Sequence, residues 1–123
     1  MEEDRLAELV IGAAIEVHRT IGPGLLESTY QLCLARGLEI RGIPFAREVL
    51  IALAYKGISV DRAFRLDFLV ADRLIVELKA VSRLDENHKA QLLTYLRWSG
   101  KRLGLLINFN ERLLKDGVRR VIN

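Results

Sequence analysis

Cysteine is almost missing from this sequence: Cys33 stands alone, and His18 and His88 are the only histidines beside it. One thiol cannot close an internal disulfide, and these three residues lack the spacing of a structural zinc site. An intracellular, reducing setting follows. No uninterrupted apolar run approaches the roughly 20 residues that a membrane-crossing helix needs. The start, Met1-Glu2-Glu3-Asp4, is acidic where a secretory leader is basic. A soluble, cytoplasmic protein without a membrane partner is expected. Repeats, linkers and low-complexity tracts are also lacking, and Gly22-Pro23-Gly24 has no GxxxxGK[ST] around it, so it reads as helix punctuation and not as a phosphate loop.

What is present suits one domain spanning residues 1–123. The chain has 123 residues and is 50% hydrophobic, enough for one buried core without covalent or metal staples. A net charge of +3 discriminates little. Its distribution says more: from Arg97 onward seven basic residues (Arg97, Lys101, Arg102, Arg112, Lys115, Arg119, Arg120) face two acids, Glu111 and Asp116. That end either meets a polyanion or is a solvated basic face.

Leu6, Leu9, Val10, Ala13, Ala14 and Val17 recur at helical spacing and predict a first helix over 3–20. Gly22-Pro23-Gly24 breaks it. A second helix is predicted over 25–41 from Leu26, Tyr30, Leu34 and Leu38, ending at Gly42-Ile43-Pro44. From Phe45 the period becomes that of strands: 48–55, a turn at Lys56-Gly57, then extended chain over 58–70. After a turn at Asp72-Arg73, residues 74–81 form a strand apolar on both faces, which belongs in the middle of a covered sheet. Asp85 caps a helix over 86–99, Gly100 closes it, and strands follow over 103–109 and, at an edge, 118–122. The order describes an α/β or α+β sandwich of helices around one mixed sheet.

Glu77 and Lys79 are out of character in so apolar a strand, because burying an unpartnered ion costs several kcal/mol. Two residues apart on a strand, they project side by side. If the turn at Asp72-Arg73 makes a hairpin, Asp67 comes near Glu77 across the ladder. Two close carboxylates repel unless a cation joins them, and Mg²⁺ suits a site of one or two carboxylates plus a substrate phosphate. Such a metal acidifies a water, and an adjacent lysine can orient or deprotonate it, which is the equipment for phosphodiester hydrolysis. A buried Glu77–Lys79 ion pair, with Asp67 capping a turn, explains the same spacing equally well.

Asp67 followed after nine residues by Glu77-Leu78-Lys79 resembles the D…ExK signature of the PD-(D/E)XK nuclease superfamily. Gln91-Leu92-Leu93-Thr94-Tyr95 resembles the QxxxY motif of its RecB-like branch, and Gly24-Leu25-Leu26-Glu27-Ser28-Thr29-Tyr30 matches the GxxExxY signature that names a family of small proteins within it. The likeness covers nearly the whole chain, although Leu66 stands where the superfamily's proline precedes the aspartate. The resemblance implies an α/β fold with a restriction-endonuclease-like core, αβββαβ with an extra N-terminal helix, its mixed central sheet flanked by helices. It also implies that Asp67, Glu77 and the backbone carbonyl of Leu78 hold Mg²⁺ or Mn²⁺, that Lys79 serves the attacking water, and that Glu27 completes or borders the metal site. Gln91 and Tyr95 would contact substrate or support Lys79.

Other residues carry two readings each. Glu27 also suits the helix dipole, and Tyr30 either supports Glu27 or packs in the core. His18 is either a further metal ligand, as upstream histidines are in some relatives, or an isolated side chain. Trp98 either stacks on a base or packs at its helix end, and Cys33 fits as a small core residue. The expected function is a metal-dependent nuclease acting on DNA rather than RNA, with a homodimer or protein partner to aid recognition. The alternative is a non-hydrolytic nucleic-acid-binding or assembly module that retains the fold.

Overall fold

The computed structural model describes residues 2–123. Helices α1 (Glu3–Ile21) and α2 (Glu27–Ile40) come first, then strands β1 (Phe45–Tyr55), β2 (Ile58–Val70) and β3 (Leu74–Lys79). Helix α3 (Glu86–Ser99), strand β4 (Leu103–Asn108), a short 3₁₀ turn (Leu114–Gly117) and strand β5 (Val118–Ile122) complete the order. The five strands lie in sequence order in one sheet, antiparallel except for the parallel pair β3–β4. The α3 crossover supplies that parallel connection, as strand–helix–strand geometry requires. This is the mixed sheet flanked by helices that was expected, and it is consistent with a restriction-endonuclease-like fold.

The apolar stripes fix the layers. Leu6, Val10, Ala13, Ala14, Leu34 and Leu38 pack with Leu74, Val76 and Leu78 of β3 and Leu103, Leu105 and Ile107 of β4. On the other face, Leu92 and Leu96 of α3 pack with Leu66, Ile75 and Leu106. Leu92 sits over Gly104, where an added Cβ would meet its side-chain carbons at 3.0 Å. The missing side chain there lets α3 lie close on the sheet. Asp85 accepts hydrogen bonds from the backbone N–H groups of Asn87 and His88, His88 returns the contact to Asp85, and Gly100 ends α3 in a left-handed conformation.

Besides β1, which starts at Phe45 rather than residue 48, three details depart from expectation. Helix α2 starts at Glu27, because Leu26 is still extended at φ −69°, ψ 147°, and β3 ends at Lys79 rather than residue 81. The third lies in β2, where Phe64, Leu66, Phe68 and Val70 alternate regularly and should share one face. Instead Phe64 and Leu66 pack toward α3, while Phe68 and Val70 pack toward α1 and α2. The changeover falls at Asp67. Opposite it, Glu48 of β1 takes φ +51°, and the paired residues run from Arg47↔Phe68 to Val49↔Leu66 without a Glu48–Asp67 pair. Phe45 and Val49 of β1 divide between the two cores in the same way. Among the described residues no helix is long and apolar enough to cross a membrane.

Candidate active site

The hairpin expected around Asp72-Arg73 exists, with Ala71 and Asp72 in left-handed conformation at its turn. Its β2–β3 ladder runs from Val70↔Leu74 to Phe68↔Val76 and stops there. At that point backbone pairing gives way to side chains. The Asp67 N–H donates to Glu77 Oε1 at 3.0 Å, and the Leu78 N–H donates to Asp67 Oδ2 at 2.8 Å. Each carboxylate thus takes an N–H that the parting strands would otherwise leave unpaired.

Glu77 is one of only three buried polar side chains among the described residues, at 5% exposure. Burial, and then the charge of Asp67, push its pKa up to about 9, and the two carboxyls are close enough to hydrogen-bond when Glu77 is protonated. Lys79 lowers that pKa only in part. Lys79 forms no ion pair with Glu77, or with any other carboxylate among the described residues. The buried Glu77–Lys79 pair that spacing allowed is therefore not what this strand contains.

Glu27, the first residue of α2, is exposed, yet its carboxyl is partly desolvated and its pKa is raised by that burial. Lys79 and the Ala80 backbone oppose the shift, Asp67 adds to it, and His88 is within electrostatic reach. Tyr95 reaches the cluster from α3: its pKa is raised by burial and then by the charges of Glu77 and Asp67. Its ring stacks on Phe64 at 4.3 Å between centroids. Two helices and two strands thus bring Glu27, Asp67, Glu77, Lys79 and Tyr95 into one electrostatic neighbourhood.

Gln91 lies one turn before Tyr95 but is exposed, and its side chain forms no hydrogen bond among the described residues. Of the two readings of Tyr30, support of Glu27 or a place in the core, the structure shows the core. It is fully buried, its hydroxyl donates to the Gly22 carbonyl at 2.6 Å and accepts from the Leu25 N–H at 3.1 Å, and its ring stacks on Phe109. It fixes the loop that delivers Glu27 without touching Glu27. His18 bonds the Glu111 carbonyl through Nε2 at 2.6 Å and is not among the groups acting on the carboxylates.

Asn108 escaped the sequence reading. It is wholly buried at the end of β4, in register with Lys79. Its Oδ1 accepts from the Val81 and Asn110 N–H groups at 3.0 and 3.2 Å, and its Nδ2 donates to the Val81 carbonyl at 2.8 Å. The Phe109 N–H donates to the Lys79 carbonyl at 2.9 Å. The backbone on which Lys79 stands is therefore clamped from β4. The available signal was the one polar residue closing the apolar run Leu103–Asn108.

The donors suit a hard divalent cation. Asp67 and Glu77 are a close acid pair, half-buried and buried respectively, whose repulsion a proton or a cation relieves, and all the side-chain donors are oxygens. Asp67 Oδ1 and Glu77 Oε2 accept no N–H. No buried side-chain N or O lacks a partner, so these two oxygens reach accessible space. Among the described residues no group of three or more His, Cys, Asp and Glu side chains is gathered so as to hold a metal.

A model of the PD-(D/E)XK nuclease superfamily matches residues 4–121. No curated protein and no solved structure matches the chain.

Proposed function

Because the chain belongs to the PD-(D/E)XK nuclease superfamily, whose members typically cut nucleic acid with divalent metal ions, we propose that it is a Mg²⁺- or Mn²⁺-dependent nuclease hydrolysing phosphodiester bonds of DNA. The observation that carries this reading is the Asp67–Glu77 pair, two carboxylates each with one oxygen directed at accessible space beside an unpaired lysine. Within the superfamily the chain is assigned to the GxxExxY branch on Gly24, Glu27 and Tyr30, and Gln91 with Tyr95 corresponds to the QxxxY motif of the RecB-like enzymes. Residues 1–123 act as one nuclease-like domain.

Asp67, Glu77 and the Leu78 carbonyl would hold the metal, and Glu27 would complete or border that site. A bound divalent ion supplies charge neutralisation at the scissile phosphate and a water of lowered pKa. Lys79 orients the attacking water and stabilises charge developing on the phosphate oxygens. Glu77 yields its proton when the site is loaded. Glu27, its own pKa raised by partial burial, would add a further acidic group to the site. Gln91 projects into solvent where a strand would pass, and Tyr95 holds one side of the cleft against Phe64.

The test is cleavage of single- and double-stranded DNA with Mg²⁺ or Mn²⁺. Glu77→Ala and Lys79→Ala should each abolish it, and metal-independent cleavage, or cleavage that survives both substitutions, overturns the proposal. A chain that binds DNA with a steep salt dependence and never turns it over is the non-hydrolytic binding or assembly module instead.

A further inference from the structure

Between the last turns of α1 and the 3₁₀ turn lies a cavity of about 410 Å³ that the proposed chemistry does not use. Arg19 at the end of α1, and Arg112 and Lys115 around the 3₁₀ turn, line it together with His18. No carboxylate lines it, and none of these three cations forms a hydrogen bond or ion pair among the described residues. All three are exposed, and with no carboxylate among the lining residues they give this surface a positive potential that favours an anion. Helix α1 turns its negative end toward this region, but that amounts to about half a charge against three whole ones. The remaining wall is apolar, built from Ile15, Pro23, Leu113 and Leu114. Leu113 is 46% exposed, an apolar surface left beside the cations.

The cavity is tied to the reacting groups through Phe109. Its backbone N–H holds the Lys79 carbonyl, its ring stacks on Tyr30 at 4.5 Å, and the His18 ring lies 6.5 Å from it. Tyr30 in turn holds the Gly22 carbonyl next to Pro23. Phe109 thus links the backbone of Lys79 to His18 in the cavity wall.

We propose that this cavity binds a single unpaired nucleotide of the substrate strand, its flanking phosphates on Arg19, Arg112 and Lys115 and its base against Ile15, Pro23, Leu113 and Leu114. The inference rests on the nuclease reading for the identity of the polyanion. A volume of this size lies within the range of small-ligand sites. An apolar wall with guanidinium planes at its rim accepts the face of any base, so recognition is by strandedness and not by sequence. A base locked in a duplex cannot enter, which makes a single-stranded segment, a frayed end or a flap the preferred substrate.

The test is fluorescence anisotropy of a labelled single-stranded oligonucleotide and of a duplex of the same length, both with wild-type protein in EDTA so that binding is read without turnover. The single strand should bind more tightly. Replacing Arg19, Arg112 and Lys115 together by Ala should weaken single-strand binding about tenfold or more and lower its salt slope by roughly 2. Replacing the equally exposed Arg36, Arg41 and Arg62 should change it far less. Leu113→Asp, which keeps all three cations, should also weaken the single strand more than the duplex. Equal losses in the two triple variants, or a duplex bound as tightly as the single strand and with the same dependence on the cavity, overturn the proposal. Failure of the nuclease reading looks different: pocket-dependent binding persists in EDTA, while no metal brings cleavage.

Discussion

Asp67 and Glu77 face each other where the β2–β3 ladder ends, each accepting a backbone N–H from the opposite strand, at 3.0 Å from Asp67 to Glu77 and at 2.8 Å from Leu78 to Asp67. The same two contacts that close the hairpin hold two acids together. Glu77, with its pKa raised to about 9, stays protonated in the metal-free fold at neutral pH but ionises in the unfolded chain near its ordinary value of 4.5. The folded state therefore binds the extra proton between those values, and stability falls as pH rises through that window. Chemical denaturation of the metal-free protein between pH 5 and 9 should show this decline. Glu77→Gln, which keeps the acceptor for the Asp67 N–H, should flatten it and leave the protein more stable than wild type at pH 8.

Metal binding should run against the same proton. Loading the site displaces the proton from Glu77, so Mn²⁺ affinity should rise from pH 6 to pH 8, and calorimetry in buffers of different ionisation enthalpy should detect proton release. Asp67→Asn and Glu77→Gln should each weaken Mn²⁺ binding about tenfold or more. Glu27→Gln should weaken it less, because Glu27 is exposed and takes part in neither of the contacts that hold the pair together.

How far the sequence foretold this site depends on which physical rule governs each residue. Asp67 and Glu77 were legible because a short turn at Asp72-Arg73 fixes the register of a hairpin, and Glu77 because an acid in an apolar strand demands a reason. The α3 boundaries were legible from the Asp85 cap and the terminal Gly100. The changeover at Asp67 was not. Phe64, Leu66, Phe68 and Val70 keep perfect alternation, and only the left-handed backbone of Glu48 opposite reveals that the strands turn over between the two cores. Nothing in the residue type of Glu48 favours that conformation. Asn108 hid for a different reason, since its main partner is the backbone of Val81, 27 residues away in the chain. Spacing rules report on neighbours along an element, not on carbonyls brought in by the fold.

Asn108 supplies a prediction of its own. Asn108→Leu removes three hydrogen bonds and leaves the Val81 N–H and carbonyl without them, at a cost of about 1–3 kcal/mol. Thermal unfolding should register that loss. Cleavage should fall further than stability accounts for, because the segment carrying Lys79 loses its clamp. Mn²⁺ affinity, which depends on Asp67 and Glu77, should change little.

The seat of α3 is tested at Gly104. Gly104→Val drives a side chain into Leu92, whose carbons already stand 3.0 Å from the position of a Cβ, and should destabilise the fold by about 1–3 kcal/mol. The displaced helix carries Gln91 and Tyr95, so DNA cleavage should drop as well. Leu92→Ala in the same chain should restore part of both, measured by a double-mutant cycle.

The most direct test of the central claim is a time course of DNA cleavage in Mg²⁺ or Mn²⁺ with wild type, Glu77→Ala and Lys79→Ala side by side. Metal-dependent cutting by the wild type, lost by roughly 10²-fold or more in each variant, is the predicted result. Cutting that continues in EDTA, or that neither substitution reduces, would contradict it.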